Sequence, residues 1–139
     1  MEEWLSLAVA AAGSQRGHDS EVSVRIVDET ESREMNLQYR HKDTPTNVLA
    51  FPTNLPNIDA WPEDTPVPLG DLVICAPVVK REAVEQGKEL AAHWGHMLVH
   101  GTLHLLGYDH ETSVQAEVME SIEAQILDSR GVRNPYEDN

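Results

Sequence analysis

Residues 100–110 read HGTLHLLGYDH, and this stretch decides how the rest of the chain must be arranged. His100 and His104 are four positions apart, so on a helix of about 3.6 residues per turn they project from one face, one above the other. Gly107 follows where a helix can end, because glycine takes the left-handed conformation at little cost. The reversed chain can then carry His110 back toward the same point. Three imidazoles are expected to converge.

Imidazole suits zinc, and three protein ligands with a fourth position left to water is the pattern of a catalytic rather than a structural zinc site. The spacing HxxxHxxGxxH resembles the long zinc signature of the metzincin proteases, with one departure. Where those enzymes carry the general-base glutamate, directly after the first histidine, stands Gly101. The expectation is metal geometry without the usual peptidase base. Chance placement among seven histidines is the competing reading, and a third histidine just past a helix-ending glycine counts against it. His93 and His96 lie on the same expected helix, but no chain reversal supplies them with a third partner. They read as supporting or surface groups.

A length of 139 residues suits one domain with a real hydrophobic core. Formal charge is −14, from 24 acidic against 10 basic side chains, so the surface as a whole repels polyanions and acidic membranes. This counts against a nonspecific nucleic-acid binder. The opening MEEWLSLAVAAAG is too short to span a bilayer and lacks the positive charge of a secretory signal, so it reads as a packed first helix ending near Gly13. The single cysteine, Cys75, sits in the apolar run LVICA as an inert core thiol. A reducing cytoplasm fits.

Outward from the histidine stretch, EVSVRIVD alternates Val22, Val24 and Ile26 with polar residues, the period-two pattern of a strand. Asp28 and Glu31 fit an N-cap with an acidic residue three further on, opening a helix to about Tyr39 in which Met35 and Tyr39 share a face. VLAF before Pro52 reads as a short edge strand, and TNLPNIDAWPEDTPVP, with four prolines, as a surface loop. Leu72 to Ala76 is apolar throughout, as expected of a central strand covered on both faces. Pro77 suits a first helical turn, and Gly87 divides the helical pattern from Pro77 to Gly107 into two helices, the second bearing His100 and His104. Thr112 and Gln115 match a capping box, with Val114, Val118, Ile122 and Ile126 repeating at helical spacing until Gly131. The tail VRNPYEDN reads as polar and frayed. The expected fold is α+β: a single domain with a small mixed sheet of about four strands, about five helices, and a zinc site at a helix end resembling metzincin geometry.

Three neutral ligands leave the double positive charge of zinc uncompensated, which favours an anionic substrate and lowers the pKa of a coordinated water toward about 7. Cleaving a phosphodiester builds negative charge on non-bridging oxygens, where an arginine stabilises the transition state more than the ground state. Arg40, in the basic turn Arg40-His41-Lys42, is the natural candidate, although charge at a helix end is often only a solvated face. Asp71 and Asp109 are each open to two readings, orienting a ligand or capping a turn.

The combination YRHKDTPTNVLAFP, LGDLVICAP and HGTLHLLGYDH, in that order and spacing, closely resembles the YbeY family of bacterial endoribonucleases from about Val22 to Ile126. The resemblance implies one zinc ion per chain on His100, His104 and His110, and a functional role for Arg40. It further implies a single-strand-specific, metal-dependent endoribonuclease in ribosomal RNA maturation, especially at the 3′ end of the small-subunit RNA, and in ribosome quality control. Expected partners are single-stranded ribosomal RNA, a small-subunit ribosomal protein and a ribosome-assembly GTPase, with neither DNA nor membrane. The acidic surplus is reconciled if RNA is held locally, by the zinc and by Arg33, Arg40 and Lys42. Two other readings stand: a zinc peptidase or amidase, and a non-enzymatic ribosome assembly factor with structural zinc.

Overall fold

Residues 2–12, 20–53, 62 and 65–136 are described by the computed structural model. Along them run α1 (Glu2–Ala12), β1 (Ser20–Val27), α2 (Glu29–Arg40), β2 (Val48–Pro52), β3 (Val67–Cys75), α3 (Ala76–Glu85), α4 (Leu90–Leu105) and α5 (Ser113–Asp128). The expected first-helix end near Gly13 and most of the proline-rich loop lie outside the described residues.

The apolar run from Leu72 makes β3 the central strand, parallel to β1 and antiparallel to β2. Leu72, Val73, Ile74 and Cys75 are each no more than 5% exposed, because side chains of alternating direction are covered on both faces. A bulge opposite Glu21 and Val22 leaves Leu69 as the extra residue. It shifts the alternation by one, so that Val67 and Leu69 share a face with Leu72 and Ile74. On that face lies α4, through Met97, Leu98 and Leu105. The opposite face, Val73 and Cys75, joins Val27, Leu49 and Val78, with Met35 of α2 packed against them. Pro52 ends β2, an edge strand as its proline predicts.

The five expected helices are present, while the expectation of about four strands is corrected to three among the described residues. Only 22–26, 48–51 and 72–76 carry strand patterning, and the other long described segments are helical. Ile26 departs from the expected buried face: it is 54% exposed, whereas Val27 is buried on the other side. As an edge strand, β1 is covered at Val22 and Val24 but not at its far end.

Asp28 caps α2, its Oδ1 accepting from Glu31 N at 2.8 Å. The buried residues of that helix are polar, Ser32 and Asn36. Ser32 Oγ exchanges two 3.0 Å bonds with the Thr46 backbone, and Asn36 Nδ2 donates to Thr44 O at 2.8 Å. They clamp the chain after Arg40 against its own helix. Met35 packs inward, while Tyr39 meets Phe51 edge-on at 5.1 Å and stays 57% exposed.

Thr112 and Gln115 form the expected capping box of α5. Its buried face is a correction: Met119, Glu123, Ile126 and Leu127 point inward, whereas Val114 and Val118 are 70% and 48% exposed. Residues four apart advance about 40° per step around a helix, so Val114 and Ile126 stand about 120° apart and cannot share one narrow stripe.

Candidate metal centre

Helix α4 stops at Leu105, and Gly107, at φ +100°, turns the chain, with Tyr108 N donating to Leu103 O at 3.0 Å. Past this turn His110 comes back over the helix end. Ring centroids of His100 and His104 are 4.7 Å apart, those of His104 and His110 5.1 Å, and those of His100 and His110 5.8 Å. One nitrogen from each of the three rings lies within 4.8 Å of the others. His100 Nε2 and His104 Nε2 are 3.2 Å apart. Two nitrogens each 2.0–2.1 Å from a tetrahedral ion stand about 3.3 Å apart, so this spacing suits two ligands of one metal. A ligand histidine must be neutral. Burial, reinforced by the charges of His100 and His110, pushes His104 down to about 4.

The group that fixes His100 has no counterpart in the sequence reading. Glu123 of α5 is wholly buried and accepts a short hydrogen bond from His100 Nδ1, which leaves His100 Nε2 turned toward the cluster. Glu123 Oε2 also lies 3.2 Å from His96 Nε2 and accepts from the Tyr136 hydroxyl. Burial raises the Glu123 pKa, but bonds from His100, His96 and Tyr136 outweigh it and hold the group at about 2. The same contact and its own burial push the Tyr136 hydroxyl well above the ordinary tyrosine range. His96, His100 and Glu123 also sit close enough to hold an ion, yet their facing atoms are taken up by one another. They support the first cluster. The expected frayed tail is therefore corrected at Tyr136, which folds back because its hydroxyl satisfies a buried carboxylate. A signal for Glu123 exists in the sequence: it follows Met119 by four and precedes Ile126 by three, a charge on an apolar face.

Arg40 is the last residue of α2 and exposed, and its charge reaches His104, helping to disfavour protonation there. His41 caps the helix in the left-handed conformation, φ 61°, and exposed Lys42 follows. Arg33 is placed differently: Nε and Nη2 both grip Asp43, at 2.5 and 3.0 Å, so its fork is occupied. Asp109 accepts from His110 N at 2.7 Å, with its carboxylate 4.0 Å from His110 Nδ1, so it meets both the turn and the ring. Asp71 is exposed on β3. His93, 2% exposed, binds Glu82 at 2.9 Å and is neither ligand nor surface group. Gly101 faces the sheet: a Cβ there would stand 2.7 Å from Leu72 Cδ2 and 3.2 Å from Val48 Cγ2. The position that would carry a peptidase base is thus closed by helix-on-sheet packing.

Among the described residues no helix is long and apolar enough to cross a membrane. A profile of the family described as Endoribonuclease YbeY matches residues 1–131. The chain is 54% identical over 138 residues to the endoribonuclease YbeY of Halorhodospira halophila, covering 99% of this chain and 86% of that one. It is 56% identical over 125 residues to that of Pseudomonas syringae pv. syringae, covering 90% and 73%. Among solved structures it resembles the solution structure of TM1509 from Thermotoga maritima, with a TM-score of 0.55 and 28% identity over 93% of this chain and 82% of that one.

Proposed function

The chain belongs to the YbeY family of endoribonucleases, and from that membership we propose that it cuts single-stranded ribosomal RNA with one zinc ion held by His100, His104 and His110. The reading places it in the cytoplasm as a single domain, at the 3′ end of the small-subunit RNA and in ribosome quality control. A small-subunit ribosomal protein and a ribosome-assembly GTPase are its partners. The observation that carries the proposal is the pair of facing nitrogens, His100 Nε2 and His104 Nε2, 3.2 Å apart with His100 Nδ1 fixed from behind by Glu123.

Zinc held by these three histidines would supply Lewis acidity and would lower the pKa of water. The protein side of the chemistry falls to named residues. Arg40, whose charge reaches His104, suits the extra negative charge that gathers on phosphate oxygens as the bond breaks. Lys42 extends the same basic turn toward the strand. Arg33 contributes by holding Asp43 and so the turn's shape. Glu123 is too buried to touch substrate and too acidic to take a proton at neutral pH, so it orients His100.

The peptidase reading needs a carboxylate beside the first histidine, and Gly101 against Leu72 leaves no room for one. The test pairs metal analysis with cleavage of a structured RNA bearing a single-stranded tail. His110→Ala is expected to stay folded with weakened zinc and no turnover; a protein that unfolds instead supports the structural-zinc assembly factor.

A further inference from the structure

The ten basic side chains divide unevenly between paired and unpaired. Arg25, Arg33, Arg81 and Arg130 each hold a carboxylate. Among the described residues Arg40, Lys42, Lys80, Lys88 and Arg133 hold none, although acidic groups outnumber basic ones 24 to 10. One of these five, Arg40, stands near enough to the metal centre for its charge to act on His104. Two others, Lys88 and Arg133, line one cleft of about 530 Å³ between the α3–α4 turn and the chain after α5. Glu89 is the single carboxylate in its lining.

This cleft adjoins the metal centre. Its inner wall includes His96, 8% exposed, whose Nδ1 is buried without a hydrogen-bond partner and whose Nε2 meets Glu123. His96 lies one turn before His100 on α4, about 6 Å along the axis. Pro135 lines the cleft and the next residue, Tyr136, lines the small cavity beside His100 and His110. A strand of RNA leaving the metal on the Pro135 side runs toward this cleft. We propose that Lys88 and Arg133 form a second phosphate subsite, gripping the RNA backbone beside the bond that is cut. The subsite rests on the endoribonuclease reading and accounts for how an acidic chain holds a polyanion: two cations without an ion-paired carboxylate share one cleft next to the metal centre.

The test measures binding of a fluorescent single-stranded oligouridylate in chelator, so that nothing is cut, over a range of salt. Each phosphate contact on a single strand contributes about 0.7 to the slope of log affinity against log salt, so Lys88→Gln with Arg133→Gln flattens it by about 1.4. With zinc restored, KM rises about tenfold while kcat holds, since the contacts are made equally in ground and transition states. Lys80→Gln, which removes a charge outside the cleft, leaves the slope unchanged, and Lys88→Arg preserves it. A double variant that behaves like Lys80→Gln while wild type cuts RNA overturns the subsite alone. A wild-type protein that neither binds nor cuts the strand overturns the subsite and the endoribonuclease reading together.

Discussion

Replacing Glu123 by glutamine isolates the charge behind His100. The side chain keeps its shape, and its amide oxygen can still accept from His100 Nδ1, while the amide nitrogen faces the Tyr136 hydroxyl and His96 Nε2, both able to accept. What disappears is the negative charge behind His100, which on the proposed zinc reading strengthens it as a ligand. Loss of such a partner weakens metal affinity by about 10–100-fold, and the complete burial of Glu123 supports a value in the middle, about 30-fold. At free zinc a hundredfold above the wild-type Kd, wild type gains about 2.7 kcal/mol of stability and Glu123→Gln about 0.9 kcal/mol. Both numbers are measurable, the first by competition with a chromophoric chelator and the second by urea unfolding with and without zinc. Glu123→Ala differs in kind, since it removes the carboxylate that His100 Nδ1, His96 Nε2 and the Tyr136 hydroxyl share and leaves a cavity in its place, although His96 Nε2 and the Tyr136 hydroxyl, 3.1 Å apart, can still bond each other. A Glu123→Gln protein that binds zinc within twofold of wild type would refute the idea that this charge tunes His100.

Arg40→Ala should keep its full zinc content while kcat on single-stranded RNA falls by about 10²–10³-fold, and an unchanged rate removes Arg40 from the mechanism. His41→Gly relieves a non-glycine residue at φ 61° and should raise the urea midpoint by the equivalent of about 1 kcal/mol. Gly101→Glu should lose about 1–3 kcal/mol or more and gain no peptidase activity, because its side chain is driven into Leu72 rather than toward the metal; a stable, proteolytic variant contradicts this. In metal-free protein, acid should act in two steps. His104 is depressed to about 4 from an unfolded value near 6.5, so the unfolded chain takes up the proton first and stability falls between those pH values. Glu123, at about 2 in the fold, then costs about 3 kcal/mol as pH falls from about 4.5 toward 2, which a pH series of urea melts reads directly.

The histidine stretch was legible because a claw of two positions four apart and a turn at Gly107 are local matters. So were Asp28, Thr112, Pro77 and the buried run from Leu72, each governed by residues within a turn or two. What escaped depends on distance. Glu123 is joined to His100 across 23 positions and to Tyr136 across 13, and only tertiary packing tells a charge on an apolar face whether it is buried or turned out. The α5 stripe was misplaced for a geometric reason: a strict step of four winds around the helix, and the fold chose the Met119 side. Arg33 shares its charge with Arg40 in the sequence, but Asp43 lies near enough to occupy it.

Glu123 receives hydrogen bonds from two turns of one helix and from a residue beyond the next, so α5, which supplies none of the three converging imidazoles, is latched to their cluster. Ion arrival should therefore be audible far from the ion. Backbone amides along the inward side of α5 ought to exchange with solvent more slowly once the centre is filled, and sequence drift on that side should register first as a leaky metal site rather than as a loosened helix.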